Sequence, residues 1–172
     1  MMKTIPTKIN KYNVYRSGNR LLGVGEELTL PDFEALSETV SGAGLLGEID
    51  DPTVGAFGNM EQEVPFRLLD EDAFEMMDMT KAVDLEIRGA AQTVNSSGDI
   101  EFVPVRVALR GRSKKLGGGK LKAGSPMDSG VTLTVFYILI EVDGSPMVEL
   151  DKINEVFKVR GVDVLAKIKE MC

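Results

Sequence analysis

Apolar and polar residues alternate with a period of two over much of this chain, the spacing of a strand with one buried face. In residues 83–88, Val83, Leu85 and Ile87 interleave with Asp84, Glu86 and Arg88. The pattern returns in residues 102–110, where Val103, Val105, Val107 and Leu109 face in and Arg106 and Arg110 face out. Asn95-Ser96-Ser97-Gly98-Asp99 joins the two runs as a tight turn. Residues 60–68 alternate as well, with Val64, Phe66 and Leu68 on one side. Residues 131–142 start by alternating and become continuously apolar. Val131, Leu133 and Val135 share one side of this strand, and Thr132 and Thr134 the other. A turn at Asp143-Gly144 leads into a further strand over residues 147–151.

The N-terminal part reads as a hairpin: Tyr12-Asn13-Val14-Tyr15, a turn at Ser17-Gly18-Asn19, then a return through Leu21 and Val24. Leu28-Thr29-Leu30 extends the return and Pro31 stops it. Residues 33–40 are strand-like. Helical signals are few. Asp70 stands as the N-cap of a helix over residues 71–80, with acids in the first turn, where the helix dipole favours them. Ala73, Phe74, Met76, Met77 and Met79 form its apolar face. A short amphipathic helix follows Asp163. The pattern predicts about seven or eight strands, one central helix and a short C-terminal helix. There is no strand–helix–strand rhythm, so the fold class is mainly β: an antiparallel β-sandwich or small barrel with peripheral helices. Residues 1–172 suffice for one domain with its own core.

Two segments break the alternation. Residues 41–59 hold five glycines, Pro52 and the acids Glu48, Asp50 and Asp51. Leu45, Leu46, Ile49, Val54 and Phe57 are scattered through them without a period. A structureless loop of this length is uncommon inside a compact domain. Apolar residues on such a loop, with no core to join, point to contact with a neighbouring chain. Residues 111–126 read as a Gly- and Lys-rich loop. Between Phe102 and Met127 the chain carries Arg106, Arg110, Arg112, Lys114, Lys115, Lys120 and Lys122 and no acid, although its formal net charge is −7. A basic stretch on an acidic chain suits head-to-tail association of copies, where unlike patches meet.

Composition removes most chemistry. There is no histidine, so the commonest general acid–base group and metal ligand is missing. The only cysteine, Cys172, allows no disulfide within the chain. Gly117-Gly118-Gly119-Lys120 is followed by Leu121, not by the Ser or Thr of a phosphate-binding loop. Carboxylate pairs such as Asp50-Asp51 and Glu71-Asp72 are chain neighbours that do not converge on a substrate. No catalytic, metal or cofactor site is expected, and no enzymatic activity. The acidic balance argues against general nucleic-acid binding. The opening residues lack the apolar core of a secretory signal, and the longest apolar run, residues 135–140, is too short to span a bilayer. The chain is expected to be made in the cytoplasm with no membrane partner.

Several segments carry a family resemblance through their order and separation. They are Ile9-Asn10-Lys11-Tyr12-Asn13-Val14-Tyr15 with Gly18-Asn19-Arg20-Leu21-Leu22-Gly23-Val24, then Leu28-Thr29-Leu30-Pro31, Ser41-Gly42-Ala43-Gly44 and Leu109-Arg110-Gly111-Arg112. Phe136-Tyr137 through Val142-Asp143-Gly144, Val148-Glu149-Leu150-Asp151-Lys152-Ile153-Asn154 and Val159-Arg160-Gly161-Val162-Asp163 complete the set. Together they resemble the major tail tube proteins of contractile-tailed bacteriophages, over nearly the whole chain. The resemblance implies a structural protein of the virion tail, made in the host bacterium. It implies hexameric rings whose subunits' sheets join edge to edge into an inner β-barrel and stack as a hollow tube. The implied partners are further copies of the chain, the tail sheath protein, the tape measure protein, and baseplate and tail terminator proteins. DNA would pass through the lumen without sequence-specific binding. Type VI secretion tubes and phage-tail-like bacteriocins share this fold. A ligand-binding β-sandwich is the alternative from another class. Ser41-Gly42-Ala43-Gly44 resembles the start of the family's long inter-subunit loop. The expected contact residues are Leu45, Leu46, Ile49, Asp50, Asp51 and Phe57 on the first loop. Arg110, Arg112, Lys114, Lys115 and Lys120 are expected on the second. Residues 131–142 are the expected barrel wall.

Overall fold

Two long strands, β7 (Ile100–Gly117) and β8 (Ser129–Val142), form the centre of the structure, a computed structural model that describes residues 4–172. β7 pairs with β8 from Val105↔Val142 to Gly117↔Gly130. The other side of β8 is shared between two neighbours. Its first half pairs with β5 (Glu61–Phe66) and its second half with β9 (Ser145–Asp151). The change of neighbour falls at Phe136, which has no partner on β7 because Arg110 pairs with Tyr137 and Gly111 with Val135. An extra residue of this kind bends a strand and shifts its side-chain parity. Val131, Leu133 and Val135 are buried before the bulge and Ile138 after it, so the same face stays against the core. The backbone groups at the bend find partners. Val135 N donates to the Met60 carbonyl at 2.8 Å, and Lys152 N donates to the Phe136 carbonyl at 2.9 Å.

β6 (Val83–Val94), β1 (Ile5–Arg16) and the two-residue β2 (Asn19–Arg20) extend the sheet beyond β7. β10 (Val156–Val159) and β11 (Val162–Asp163) extend it beyond β9. The order is β11-β10-β9-β8-β7-β6-β1-β2, antiparallel throughout and open at both ends, with β5 branching from β8. β3 (Ala35–Val40) and β4 (Ile49–Phe57) pair separately as a two-stranded sheet. The helices are short: α1 (Glu71–Glu75) and α2 (Ala166–Met171). Leu85 and Ile87 on β6, Val107 and Leu109 on β7, and Leu133 and Ile138 on β8 form one side of the core. Val64 and Phe66 of β5 and Ala73 and Met76 of α1 belong to the same cluster.

The mainly β, antiparallel fold with one central and one C-terminal helix agrees with the pattern in the sequence; several boundaries do not. Eleven strands form among the described residues, because β2 and β11 are very short and β4 occupies residues read as loop. Residues 21–34 do not return as a full strand. β1 finds its long partner in β6, from Ile5↔Val94 to Arg16↔Leu85, and Val24 keeps only a bridge to Phe66. Leu68 is exposed, and the inward positions of β5 are Gln62, Val64 and Phe66. The Gln62 amide donates to the Thr29 carbonyl at 2.9 Å, which holds the irregular segment against β5. Asp70 caps α1 as expected, accepting from Ala73 N at 3.0 Å. The helix ends early, because the Asp78 carboxylate accepts from Thr80 N at 3.1 Å and closes a competing turn. Met79 falls beyond the helix and lies exposed, as does Phe74 within it. The expected loop at residues 111–126 is strand as far as Gly117, with a second bulge at Lys114. Residues 131–142, the expected barrel wall, lie in the middle of the sheet.

Gly111 sits opposite the Phe136 bulge, where a Cβ would lie 2.5 Å from the Thr134 carbonyl oxygen. Gly111→Ala should therefore destabilise the fold by about 1–3 kcal/mol through overpacking against backbone. Gly118→Ala, with open space around it, should change stability by less than about 0.5 kcal/mol. Urea unfolding of both variants checks the difference; equal midpoints would contradict it.

Candidate assembly surfaces

Residues 35–57 form a projecting arm. Its register runs from Ala35↔Phe57 to Val40↔Ile49, and residues 41–48 make the turn. Gly42, Gly44 and Gly47 take positive φ there, a conformation that costs glycine little. The expected loop is thus a hairpin carrying its own hydrogen bonds. Its strands pair only with each other, and Leu36, Val40, Leu45, Leu46, Ile49 and Val54 are all exposed. Leu46 is fully open to solvent. Asp50 and Asp51 are exposed beside Ile49.

The base of the arm is anchored within the chain. The Phe57 ring meets Phe157 at 5.0 Å and Phe33 at 6.1 Å, both edge to face. Phe57, expected to look outward, is therefore held by its own chain. The sequence conceals this because both partners are distant from it along the chain. Gly55 takes φ 79°, and a Cβ there would lie 2.5 Å from a Leu165 methyl, so the residue before α2 rests directly on the arm. Lys152 Nζ donates to the Gly58 carbonyl at 2.6 Å, and burial pushes its ammonium below its ordinary pKa.

The face of the sheet turned away from the core carries a charged lattice. Arg110 Nε donates to Asp84 at 2.6 Å. Arg106 donates to Glu141 at 2.7 Å and lies 3.2 Å from Glu86. Arg88 pairs with Glu86 and covers the Tyr15 ring at 4.5 Å. Tyr137 donates to Glu149 at 3.4 Å. The hydrogen bond from Arg106 holds the Glu86 carboxyl below the ordinary carboxylate range. Lys114 pairs with Glu61, and Lys120 with Asp128 at 3.0 Å. Of the five basic residues expected to meet a neighbour, Arg112 and Lys115 alone form no ion pair among the described residues. Much of the basic stretch is answered inside the fold, because antiparallel register sets β7 between acids on β6 and β8.

A surface not singled out from the sequence is the outer flank of β1. β2 pairs with it only at Tyr15 and Arg16, and no strand lies beside residues 5–13 among the described residues. Ile5, Lys8, Ile9 and Lys11 are exposed there. An unpaired edge of this length invites another chain. A signal for this surface was present. The first twenty residues hold five Lys or Arg and no acid, while residues 21–66 hold ten acids and no Lys or Arg.

A family model described as phage tail tube protein FII matches residues 6–171. The chain is 29% identical over 170 residues to the tail tube protein of Escherichia phage P2, covering 94% of each chain. Its fold is also similar to that of a sheath/tube terminator of an extracellular contractile injection system, solved by cryo-EM in the extended state. That match has a TM-score of 0.53 at 12% identity and covers 79% of this chain and 96% of the other.

The Glu86 carboxyl, depressed in the folded state, stabilises above its unfolded pKa, and this contribution is lost as pH falls through the folded pKa. Arg106 is more than a third exposed, so solvent screening keeps the effect small. Glu86→Gln should lower stability at neutral pH by about 0.5–1 kcal/mol. The difference from the parent should shrink as pH falls through the folded pKa. Thermal melts across pH test this; a pH-independent difference would remove the ion-pair account.

Proposed function

This chain belongs to the phage tail tube protein FII family, and on that premise we propose that it is the ring-forming subunit of the inner tube of a contractile tail. The whole chain acts as one tube domain. Hexameric rings stack into a hollow tube that encloses the tape measure protein and later conducts DNA. The sheath surrounds it, and baseplate and terminator proteins cap its ends. The observation that carries this reading is a nine-stranded sheet open at both ends, beside an arm whose outer part leaves Leu45, Leu46 and Ile49 exposed. Joining edge to edge with further copies is one way in which a sheet satisfies its free edges. Here they would join through β1 on one flank and the β10–β11 side on the other into an inner barrel.

The face away from the core then lines the lumen. Asp84, Glu86, Glu141, Glu149 and Asp151 share that face with Arg88, Arg106 and Arg110, each of which is paired with a carboxylate, and with Arg112 and Lys158, which the register sets opposite Thr134 and Glu149. Pairing with carboxylates leaves the three central guanidinium groups less free to grip phosphates. The arm reaches a neighbouring subunit through Leu45, Leu46, Ile49, Asp50 and Asp51, with Arg112 and Lys115 as the remaining basic contacts from β7.

Electron microscopy of the purified protein should show rings or tubes, with no activity beyond assembly. A strictly monomeric species at high concentration, under every salt condition, would count against the reading. Replacing residues 42–47 by a two-residue Asn-Gly turn should leave a folded monomer that does not polymerise. The base of the arm stays intact in that variant, so loss of assembly with an unchanged thermal melt isolates the arm tip. Normal tubes from it would show that the tip is dispensable.

A further inference from the structure

Two unlike surfaces of this chain complement each other, and they belong to opposite ends of the strand order. One is the arm, anchored on Phe157 of β10 and on Leu165 before α2. The other is an apolar depression of about 140 Å³ beside β1, lined by Ile9, Tyr12, Leu28, Leu30, Ile87 and Val105. An apolar cavity of about 150 Å³ accepts a benzene-sized group, so one leucine side chain fits here. The arm offers that group. Leu46 is fully exposed at the turn, next to Gly47 and one residue from Gly44, both at positive φ, and nothing in its own chain covers it.

Charge points the same way. Lys8 and Lys11 stand exposed on the unpaired edge strand β1, opposite Gln92 and Ala90 on the outward face, so acids that meet them lie around the open edge and not in the depression itself. The arm carries Glu38, Glu48, Asp50 and Asp51 and no cation. Glu26 and Glu27 are the acids near Tyr12, and Glu26 lies 3.7 Å from Arg67. A larger cleft of about 660 Å³ beside β5 is a poorer host, because Asp32, Glu34, Glu61 and Glu63 line it against only Lys114 and Lys115, and Lys114 is already paired with Glu61.

We infer that the arm of one copy docks on the β1 flank of the next, with Leu46 in this depression and Glu48, Asp50 and Asp51 against Lys8 and Lys11. The inference rests on the tube reading above and names the surface that receives the arm. The two surfaces differ, so the contact is heterologous and repeats from copy to copy, either closing as a ring or running on as a filament.

The test uses the full chain in a Cys172→Ser background. Ile9→Cys and Leu46→Cys together, oxidised after assembly, should give a ladder of covalent oligomers beyond the dimer on a non-reducing gel. Each single variant should stop at the dimer. A ladder that ends places the contact within a ring, and one that continues places it between rings. Independently, Lys8→Glu with Lys11→Glu should slow assembly at least tenfold, as should Asp50→Lys with Asp51→Lys, and combining both pairs should restore it. All four positions are exposed, so unchanged melting temperatures should confirm that the variants fold. Tubes without a ladder, or without rescue, would overturn the receiving surface and leave the tube reading standing. A parent that forms neither rings nor tubes would overturn both.

Discussion

The pairing of β7 with β8, and the bulge at Phe136 within it, is the constraint on which the rest of the structure depends. A strand that slips by one residue turns every side chain to the opposite face. The bulge makes that slip once, at the place where β8 passes from β5 to β9. Before it, odd-numbered residues are buried; after it, Ile138 continues the same face. Gly111 opposite the bulge lets the backbones approach where a methyl group would collide with Thr134. Both consequences reach the surface. Through β5 the bend brings Met60 and Phe66 into the core, and through β9 and β10 it positions Phe157, on which the arm rests.

The parts legible in the sequence are those where local chemistry and tertiary context agree. Val83, Leu85 and Ile87, the alternation before Leu109, Val131 to Val135, the Asp143-Gly144 turn and the Asp70 cap were all readable, because each is set by residues next to it. β4 was not. Asp50, Asp51, Pro52 and Gly55 are poor strand formers, and only pairing with β3 makes them one. Pro52 is tolerated because β4 pairs on one side alone. The end of β7 was hidden for a related reason. Gly111, Lys114 and Lys115 look like loop residues until the length of β8 supplies them with partners.

The charge pattern separates what sequence can and cannot say about an assembly surface. Local sign is readable and partnership is not. The run from Arg106 to Lys122 looked available for a neighbour, yet Arg106, Arg110, Lys114 and Lys120 find acids in their own chain. Those acids lie on other strands or beyond the run, where spacing within it carries no information. The longer asymmetry between the first twenty residues and residues 21–66 survives folding in part. Arg16 is taken by Asp72 and Glu75, but Lys8 and Lys11 sit on an unpaired flank and the strands of the arm pair only with each other. Exposed apolar groups followed the same logic. Leu45, Leu46 and Ile49 stayed outside, and Phe57 was drawn in by two rings far away in sequence.

A chain with open sheet edges that associates in one way has to resist the others. Several features here oppose indiscriminate pairing. β1 is interrupted by irregularities between Pro6 and Lys8 and between Ile9 and Lys11, the opposite terminal strand has two residues, and the net charge of −7 keeps copies apart. The docking proposed above would make any single contact between copies modest: one leucine in a shallow depression and a few exposed ion pairs, each of the latter contributing about 0.2–1 kcal/mol. Closure changes that balance. In a ring every subunit is held on two sides, and the last contact forms within one particle at high effective concentration. In the ring proposed above, weak heterologous contacts would hold firmly only when all of them form together, so each subunit would become fixed once its neighbours are in place.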